Sequence, residues 1–439
     1  MSNLQKIKSY APAIALVVIM LGFIATQFRT AAPPKTTPQE KVEAPDATPP
    51  APEPEPKAVL PPPTLPPPSA TQDVPVATTW PTYHGGTDLS GYSDRALPDQ
   101  PEALWRFYAE GAIRQAPVGD AQRIYVATSS GNVVALDFQG KEQWVRHLTR
   151  PASDGGVEKS ERIEAPIACF ESTLYVGSNA GLLHALDSAT GATRWVYDVG
   201  GELLGTTNFL APKDATDTAR IFVVERGEGR LHCVNAATGE RLWRTDAVAR
   251  CDGSAAVANG IAVYGSCDSA LRIHTAAEGR PLFNVSMCAD CQIASGPALV
   301  GDDVYSGDHS GRFFRVNVRT GAIVWTNQDS KKEIFSTPAL AGDLVVFGSE
   351  DGGVYALDRT TGVQRWRHDT GKLPSSPVIA ADKVIVSVDG VLHFLKLATG
   401  EAIWSNEVSD GIASPALING TVVVGSEDGT VVAFGAKAG

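Results

Sequence analysis

Seven times in this chain a glycine stands four residues before an aromatic: Gly140/Trp144, Gly191/Trp195, Gly239/Trp243, Gly279/Phe283, Gly321/Trp325, Gly362/Trp366 and Gly400/Trp404. The intervals are mostly close to forty residues. Two longer ones carry the polar insertions RPASDGGVEKSERIE and APKDATDTAR. Upstream of each aromatic the order is constant: an apolar start (SPAL, TPAL, APIA), a Gly/Asp/Asn turn, a β-rich run such as VVFGS or LYVGS, a second glycine turn, and an alternating run such as GVYALD or LLHALD. A period of this size with strand-type alternation marks a repeat architecture built from four short strands per unit.

One such unit cannot bury both of its faces, so the units must pack against one another in a ring. In GSEDGGVYALDRTTGVQRW, E-D-G turns a hairpin, VYALD alternates its side chains between two faces, and Asp358 accepts hydrogen bonds from its own turn. Gly362 takes the left-handed position and Trp366 lies on the outer strand, ready to stack on the next unit. After Trp404 an eighth unit, SPALINGTVVVGSEDGTVVAFG, stops before its fourth strand. The missing strand is available upstream, in ALWRFYAEG around Trp105. The prediction is an all-β, eight-bladed β-propeller of four-stranded antiparallel blades over 80–439, closed by that N-terminal strand, with Trp105, Trp144, Trp195, Trp243, Trp325, Trp366 and Trp404 docking blade to blade. A ring closed on itself is expected to be monomeric.

Ahead of the repeats the chain changes character twice. Lys6 and Lys8 precede an uncharged run from Ala11 to Phe28, long enough at ~1.5 Å per residue to cross a thin hydrocarbon core. Residues 1–28 therefore read as a cytoplasmic stub and one transmembrane helix, a signal anchor in the inner membrane with the lysines in the cytoplasm. A cleaved signal peptide is the competing reading, but Pro33 follows the Thr30-Ala31-Ala32 stretch and makes a poor start for a cleaved product. No cysteine precedes Cys169, which leaves no lipid-attachment cysteine in this stretch. Residues 29–79 are dense in proline, with no aromatic residue, and read as a disordered or polyproline II linker. With 37 basic against 49 acidic residues the net charge is −12, which argues against a nucleic-acid partner.

These repeats resemble the pyrroloquinoline-quinone-like propeller repeat, shared by quinoprotein dehydrogenases and by the BamB outer-membrane assembly lipoproteins. WPTYHGGTDLSGYSD looks like the lead-in of large non-catalytic bacterial families with this repeat. The resemblance implies the fold strongly and function weakly, because enzymes and scaffolds share the motif. Its aspartate position reads Asp137, Asp187, Asn235, Thr275, Asn317, Asp358 and Lys396, a drift that a turn-stabilising role tolerates. By resemblance a dehydrogenase would also need a calcium or lanthanide site, a catalytic aspartate and usually an adjacent Cys-Cys pair, and this chain has no Cys-Cys.

Among residues with chemistry to offer, Cys251, Cys267, Cys288 and Cys291 are expected on one face near one blade boundary. There they are candidates for structural disulfides, or for a four-thiolate zinc site, with their pairing open to three connectivities. Cys288-Ala-Asp-Cys291 is followed by Gln292, so the covalent haem pattern fails. Cys169 and Cys233 fall in strand runs and read as buried thiols. His184, His232 and His393 recur at one strand position, with Tyr355 as their counterpart, and the period explains them better than a metal. Asp302-Asp303 and Glu350-Asp351 read as turn carboxylates. The expectation is a non-enzymatic, membrane-anchored extracytoplasmic scaffold with no catalytic residue, cofactor or metal. It would bind envelope proteins through the propeller face and interblade loops, BamB-like in outer-membrane protein assembly. The alternative is a quinone- or ligand-binding oxidoreductase.

Overall fold

A computed structural model describes residues 79–150, 157–288 and 291–437. The predicted anchor and most of the predicted linker lie outside the described residues. Among the described residues no helix is long and apolar enough to cross a membrane.

Eight four-stranded antiparallel sheets follow one another in chain order. Their first strands begin at Val118, Ala168, Asn208, Ala256, Ala298, Ala339, Val378 and Ala416, and define blades 1 to 8. Blade 6 is typical, with strands Ala339–Ala341, Leu344–Gly348, Gly353–Asp358 and Gln364–Asp369 running from the inside of the ring outward. Its three inner strands are buried on both faces, and its fourth is largely exposed. Both faces of a blade are apolar because each meets a neighbour. Ile167, Leu174 and Val176 of blade 2 pack on Val118, Tyr125 and Val133 of blade 1. Val304, Phe314 and Val316 of blade 5 pack on Val263, Leu271 and Ile273 of blade 4.

Blade 8 is completed as predicted. Its strands Ala416–Ile418, Thr421–Gly425 and Thr430–Gly435 accept Glu102–Tyr108 as the outer strand.

The repeated glycine and tryptophan meet across the blade boundaries. The Trp366 ring lies where a side chain on Gly400 would have to stand, 2.5 Å from that glycine's hypothetical Cβ, and Gly400 itself has φ +72°. Trp105, Trp144, Trp195, Trp243, Phe283 and Trp325 cover Gly140, Gly191, Gly239, Gly279, Gly321 and Gly362 in the same way. Each of the six tryptophans in these pairs donates its indole N–H to a turn carbonyl of the next blade, over 2.8–3.2 Å: Phe138, Ser188, Ala236, Ala277, Arg359 and Leu397. Trp404 differs because blade 8 has its two termini where the turn would be. It packs edge-on against Phe394 and Phe434 instead.

A bulge aims these rings. In all eight blades the register of the outer strand slips by one residue just before the aromatic, as where Ala356 pairs with Trp366 but Leu357 with Gln364. A bulge at this point turns the strand and directs the side chain toward the next blade.

The drifting aspartate position is a turn device. The carboxylate or amide oxygens of Asp187, Asn235, Asn317 and Asp358 each accept two turn amides, and Thr275 accepts one through its hydroxyl. The Arg365 guanidinium and the Thr361 amide and hydroxyl hold the Asp358 carboxyl well below the usual carboxylate range.

Blade 4 is the one whose outer strand carries phenylalanine in place of tryptophan, and Phe283 has no N–H to reach across to blade 5. Phe283→Trp should stabilise the protein by about 1 kcal/mol, the net worth of one such hydrogen bond. A higher urea midpoint at unchanged slope would show it, and an unchanged midpoint would mean that the seam cannot seat an indole.

Candidate interaction surface and the filled axis

Alternating strand direction divides the loops between two faces. One, the connection face, holds the links between blades and the second-to-third turns. The opposite turn face holds the first-to-second and third-to-fourth turns. The insertion after blade 1 forms a short hairpin, Thr149–Arg150 with Lys159–Ser160, on the connection face. The insertion in blade 3 lengthens its first-to-second turn, on the turn face.

The first strands surround the axis and would leave their inner edges unpaired there. The stretch Trp80–Ser93 fills this position. Trp80 and Gly119 of blade 1 exchange two backbone hydrogen bonds at 2.9 Å. The carbonyls of Pro81, Thr87, Asp88, Ser90 and Gly91 then accept the amides of Cys169, Val257, Leu299, Leu340 and Ile379, from blades 2, 4, 5, 6 and 7. Blade 3 joins through Asn208, whose side-chain amide donates to the Thr87 carbonyl at 2.7 Å. Tyr92–Ser93 runs parallel to Val378–Ala380 as a fifth strand of blade 7.

Tight geometry keeps this segment in place. Gly91 has φ +65° and lies against the His84 ring, with no room for a side chain. His84 and Leu89 themselves take left-handed conformations, a strain tolerated only where the surroundings impose it. Tyr83 donates its hydroxyl to Ser376 Oγ at 2.6 Å. Sequence reasoning identified this stretch as a lead-in and missed its place at the axis.

The connection face presents apolar side chains among charges. Tyr108, Val157, Val248, Phe335 and Leu373 are exposed at interblade links. Phe335 stands edge-on to His309 at 4.7 Å between ring centres. A cavity of about 270 Å³ opens nearby, lined by Ile113, Arg114, Leu373, Pro374, Asp389 and Ile412 among others. Around it Arg114 pairs with Glu427 and Glu164, and Lys372 with Asp389. Farther round, Arg226 bridges Glu202 and Asp252.

All four cysteine candidates lie on this face. Cys288 and Cys291 are bonded to each other, whereas Cys251 and Cys267 are thiols, the first buried and the second partly exposed. Donor atoms of Cys288, Cys291 and Asp308 lie within 4.8 Å of one another. The Asp308 carboxylate is engaged by Ser310 and Arg312, and the two sulfurs are joined to each other. Cys169 and Cys233 are buried, and burial pushes the Cys233 thiol up to about 12.

The recurring histidine position does not converge on a common centre. His184 contacts Glu161 at 2.9 Å, His232 contacts the Tyr197 hydroxyl at 2.9 Å, and Tyr355 donates to Asp351 at 2.6 Å, each within or beside its own blade. The turn carboxylates Asp302 and Asp303 are occupied by Arg319 and Arg315.

Burial lowers both His84 and His232 to about 4, helped at His232 by the positive charges of Arg244, Arg241 and Arg230. Each stays neutral in the folded chain but takes up a proton near 6.5 when unfolded, so their stabilisation is complete above pH 6.5 and declines as the pH falls toward 4. At pH 5 each should cost about 2 kcal/mol. Urea midpoints should therefore drop between pH 7 and pH 5, and His232→Gln should remove part of that drop. Equal drops in the two proteins would refute a titrating role for His232. Glu161 acts in the same direction at lower pH. Burial opposes its ionisation, but His184 and Ser178 outweigh it and hold the carboxyl below its ordinary value, so its contribution is lost as acid protonates it.

The chain matches the family described as Outer membrane protein assembly factor BamB over residues 156–212, 209–327 and 268–439. It belongs to the BamB family. The Outer membrane protein assembly factor BamB of Shewanella oneidensis is 27% identical over 355 residues, covering 75% of this chain and 87% of the relative. The protein of the same description from Alteromonas naphthalenivorans is 28% identical over 355 residues, covering 73% and 82%. Among solved structures, BamB from Moraxella catarrhalis superposes with a TM-score of 0.63 at 21% identity, over 77% of this chain and 98% of that one. The quinohemoprotein alcohol dehydrogenase of Comamonas testosteroni gives 0.66 at 16% identity, over 82% and 81%. At such identities both structures show the shared propeller and nothing about activity.

Proposed function

We propose that this chain is a non-enzymatic, membrane-tethered propeller of the cell envelope that binds other proteins through its connection face and serves outer-membrane protein assembly. Family membership supplies the process. The structural observation that carries the scaffold reading is the axial segment, because the chain's own Trp80–Ser93 stands at the hub of the ring and hydrogen-bonds to seven of its blades. The exposed aromatic and aliphatic side chains at the interblade links, set among ion pairs, suit a protein partner better than a small substrate.

In this reading residues 1–28 anchor the chain in the inner membrane and residues 29–79 space the propeller from it. The uncharged run Ala11–Phe28 behind Lys6 and Lys8 supports this arrangement. Salt- and urea-resistant retention in inner-membrane fractions would uphold it. Recovery in soluble or outer-membrane fractions would overturn it.

Photo-crosslinkers placed at Phe335 and Leu373 should capture components of the outer-membrane assembly apparatus, whereas one at Val363 on the turn face should not. Equal capture from both faces, or capture of cytoplasmic proteins alone, would sink the proposal. The rival oxidoreductase reading predicts cofactor absorbance and dye-linked alcohol oxidation after incubation with pyrroloquinoline quinone and calcium. Neither is expected.

A further inference from the structure

One turn of blade 4, Ser266 to Ser269, has cysteines on every side. Its residue Cys267 donates its amide to the Arg250 carbonyl at 2.8 Å, so the incoming link of blade 4 lies along one flank with Cys251 next in sequence. On the other flank Met287 and Ile293 donate to Ser269 and Ser266, which brings the Cys288–Cys291 pair alongside. A carbonyl oxygen lies close to the Cα of the following residue across a trans peptide. The Arg250–Cys267 hydrogen bond therefore places the Cα atoms of Cys251 and Cys267 about 5–6 Å apart, inside the range that a disulfide spans. Cys251 now turns its sulfur toward the Ala249 carbonyl, 3.3 Å away, and a rotation about χ1 redirects it.

A second observation points to the same place. Blade 4 carries Phe283 at the position where seven other blades use tryptophan, and so forms the boundary without an indole hydrogen bond. The cysteines cluster at a blade whose clasp lacks the indole hydrogen bond. Joining Cys251 to Cys267 would enclose the two inner strands Ala256–Ala258 and Ile261–Gly265 in a covalent loop.

We propose that Cys251 and Cys267 close a second disulfide beside Cys288–Cys291, leaving Cys169 and Cys233 as the buried thiols. That it forms in the living cell rests on the extracytoplasmic reading given above. The reaction needs a disulfide oxidant, such as glutathione disulfide or an oxidised dithiol protein. The partly exposed Cys267 attacks one oxidant sulfur as thiolate and expels the other as thiolate. Cys251 then attacks the Cys267 sulfur of the mixed disulfide and releases the second oxidant sulfur. Two protein thiols lose two protons and two electrons, and the oxidant becomes two thiols.

Trypsin releases Cys251 and Cys267 together on residues 251–272, and Cys288 and Cys291 on a separate peptide. The full chain, reduced and then exposed under native conditions to glutathione disulfide, is alkylated in denaturant, digested and weighed. The expected result is a 251–272 peptide that is unalkylated and two hydrogens lighter than its dithiol form, with Cys169 and Cys233 alkylated. Two alkylated cysteines on 251–272, or its crosslink to the Cys288 peptide, would overturn the pairing. Cys251→Ser should stop Cys267 at the glutathione mixed disulfide or the free thiol, never in a bond within the chain, and leave the Cys288–Cys291 bond intact; loss of the Cys288–Cys291 bond as well would show that Cys251 serves only the fold. The same digest on protein isolated from cells without reductant separates the two readings. An intact Cys288–Cys291 bond with free Cys251 and Cys267 refutes this inference alone, whereas six free thiols refute the compartment.

Discussion

Trp366→Ala should destabilise the propeller by about 3–5 kcal/mol, the usual cost of deleting a buried large aromatic. Trp366 is 8% exposed, closes over Gly400 and donates to the Leu397 carbonyl. Two contributions are lost together: the ring packed between blades 6 and 7, and one hydrogen bond worth about 1 kcal/mol net. Trp366→Phe separates them, because phenylalanine keeps most of the packing and loses the donor. It should cost about 1–2 kcal/mol, a change that blade 4 already tolerates with Phe283. Urea titrations of the full chain would measure both. Equal losses in the two variants would mean that the hydrogen bond, not the ring, joins the blades.

The larger effect is expected from the axis. A chain lacking Trp80–Ser93 should fail to accumulate as a folded monomer. Its removal strips the inner-strand amides of Gly119, Cys169, Val257, Leu299, Leu340 and Ile379 of their acceptors. Each buried amide left unpaired costs about 1–3 kcal/mol, and several together rival the whole margin of about 5–15 kcal/mol that a domain holds. Water entering the opened axis would recover part of this, so the milder Gly91→Val provides a graded version. Its side chain would stand 2.6 Å from His84 at φ +65°, and a lowered melting temperature with a retained monomer is expected. A truncated chain that melts cooperatively at the wild-type temperature would show that the segment is only draped over the ring.

The two predictions differ in how far they could be read from the residues. The blade number, the closing strand at Trp105 and the Gly–Trp clasp are periodic, and period is what a linear sequence displays best. The ring of Trp366 over Gly400 joins two positions that each recur from blade to blade. Trp80–Ser93 occurs once, lacks alternation, and earns its structure from seven separate partners distributed over the whole chain. Only its glycines hinted at close approach, and they do not say to what. The outer-strand bulge was hidden for another reason. It leaves the residue types unchanged and shows only in how Leu357 pairs with Gln364 rather than Arg365. The cysteines were intermediate: topology placed all four on one face, but which pair stands close depends on the Cys267–Arg250 hydrogen bond, which residue spacing does not reveal.

Ring closure also sets a timetable. Glu102–Tyr108 belongs to the first part of the propeller to be synthesised, yet its partner Thr430–Gly435 is made more than three hundred residues later. Until then the strand has a bare edge and blade 8 does not exist. Contacts of such long sequence separation form slowly, and exposed edges invite wrong partners while they wait. Completion of the ring is therefore a late event that waits for Thr430–Gly435 to be made. A ribosome stalled short of Thr430 would hold an open, protease-sensitive arc however many of the earlier blades had already formed.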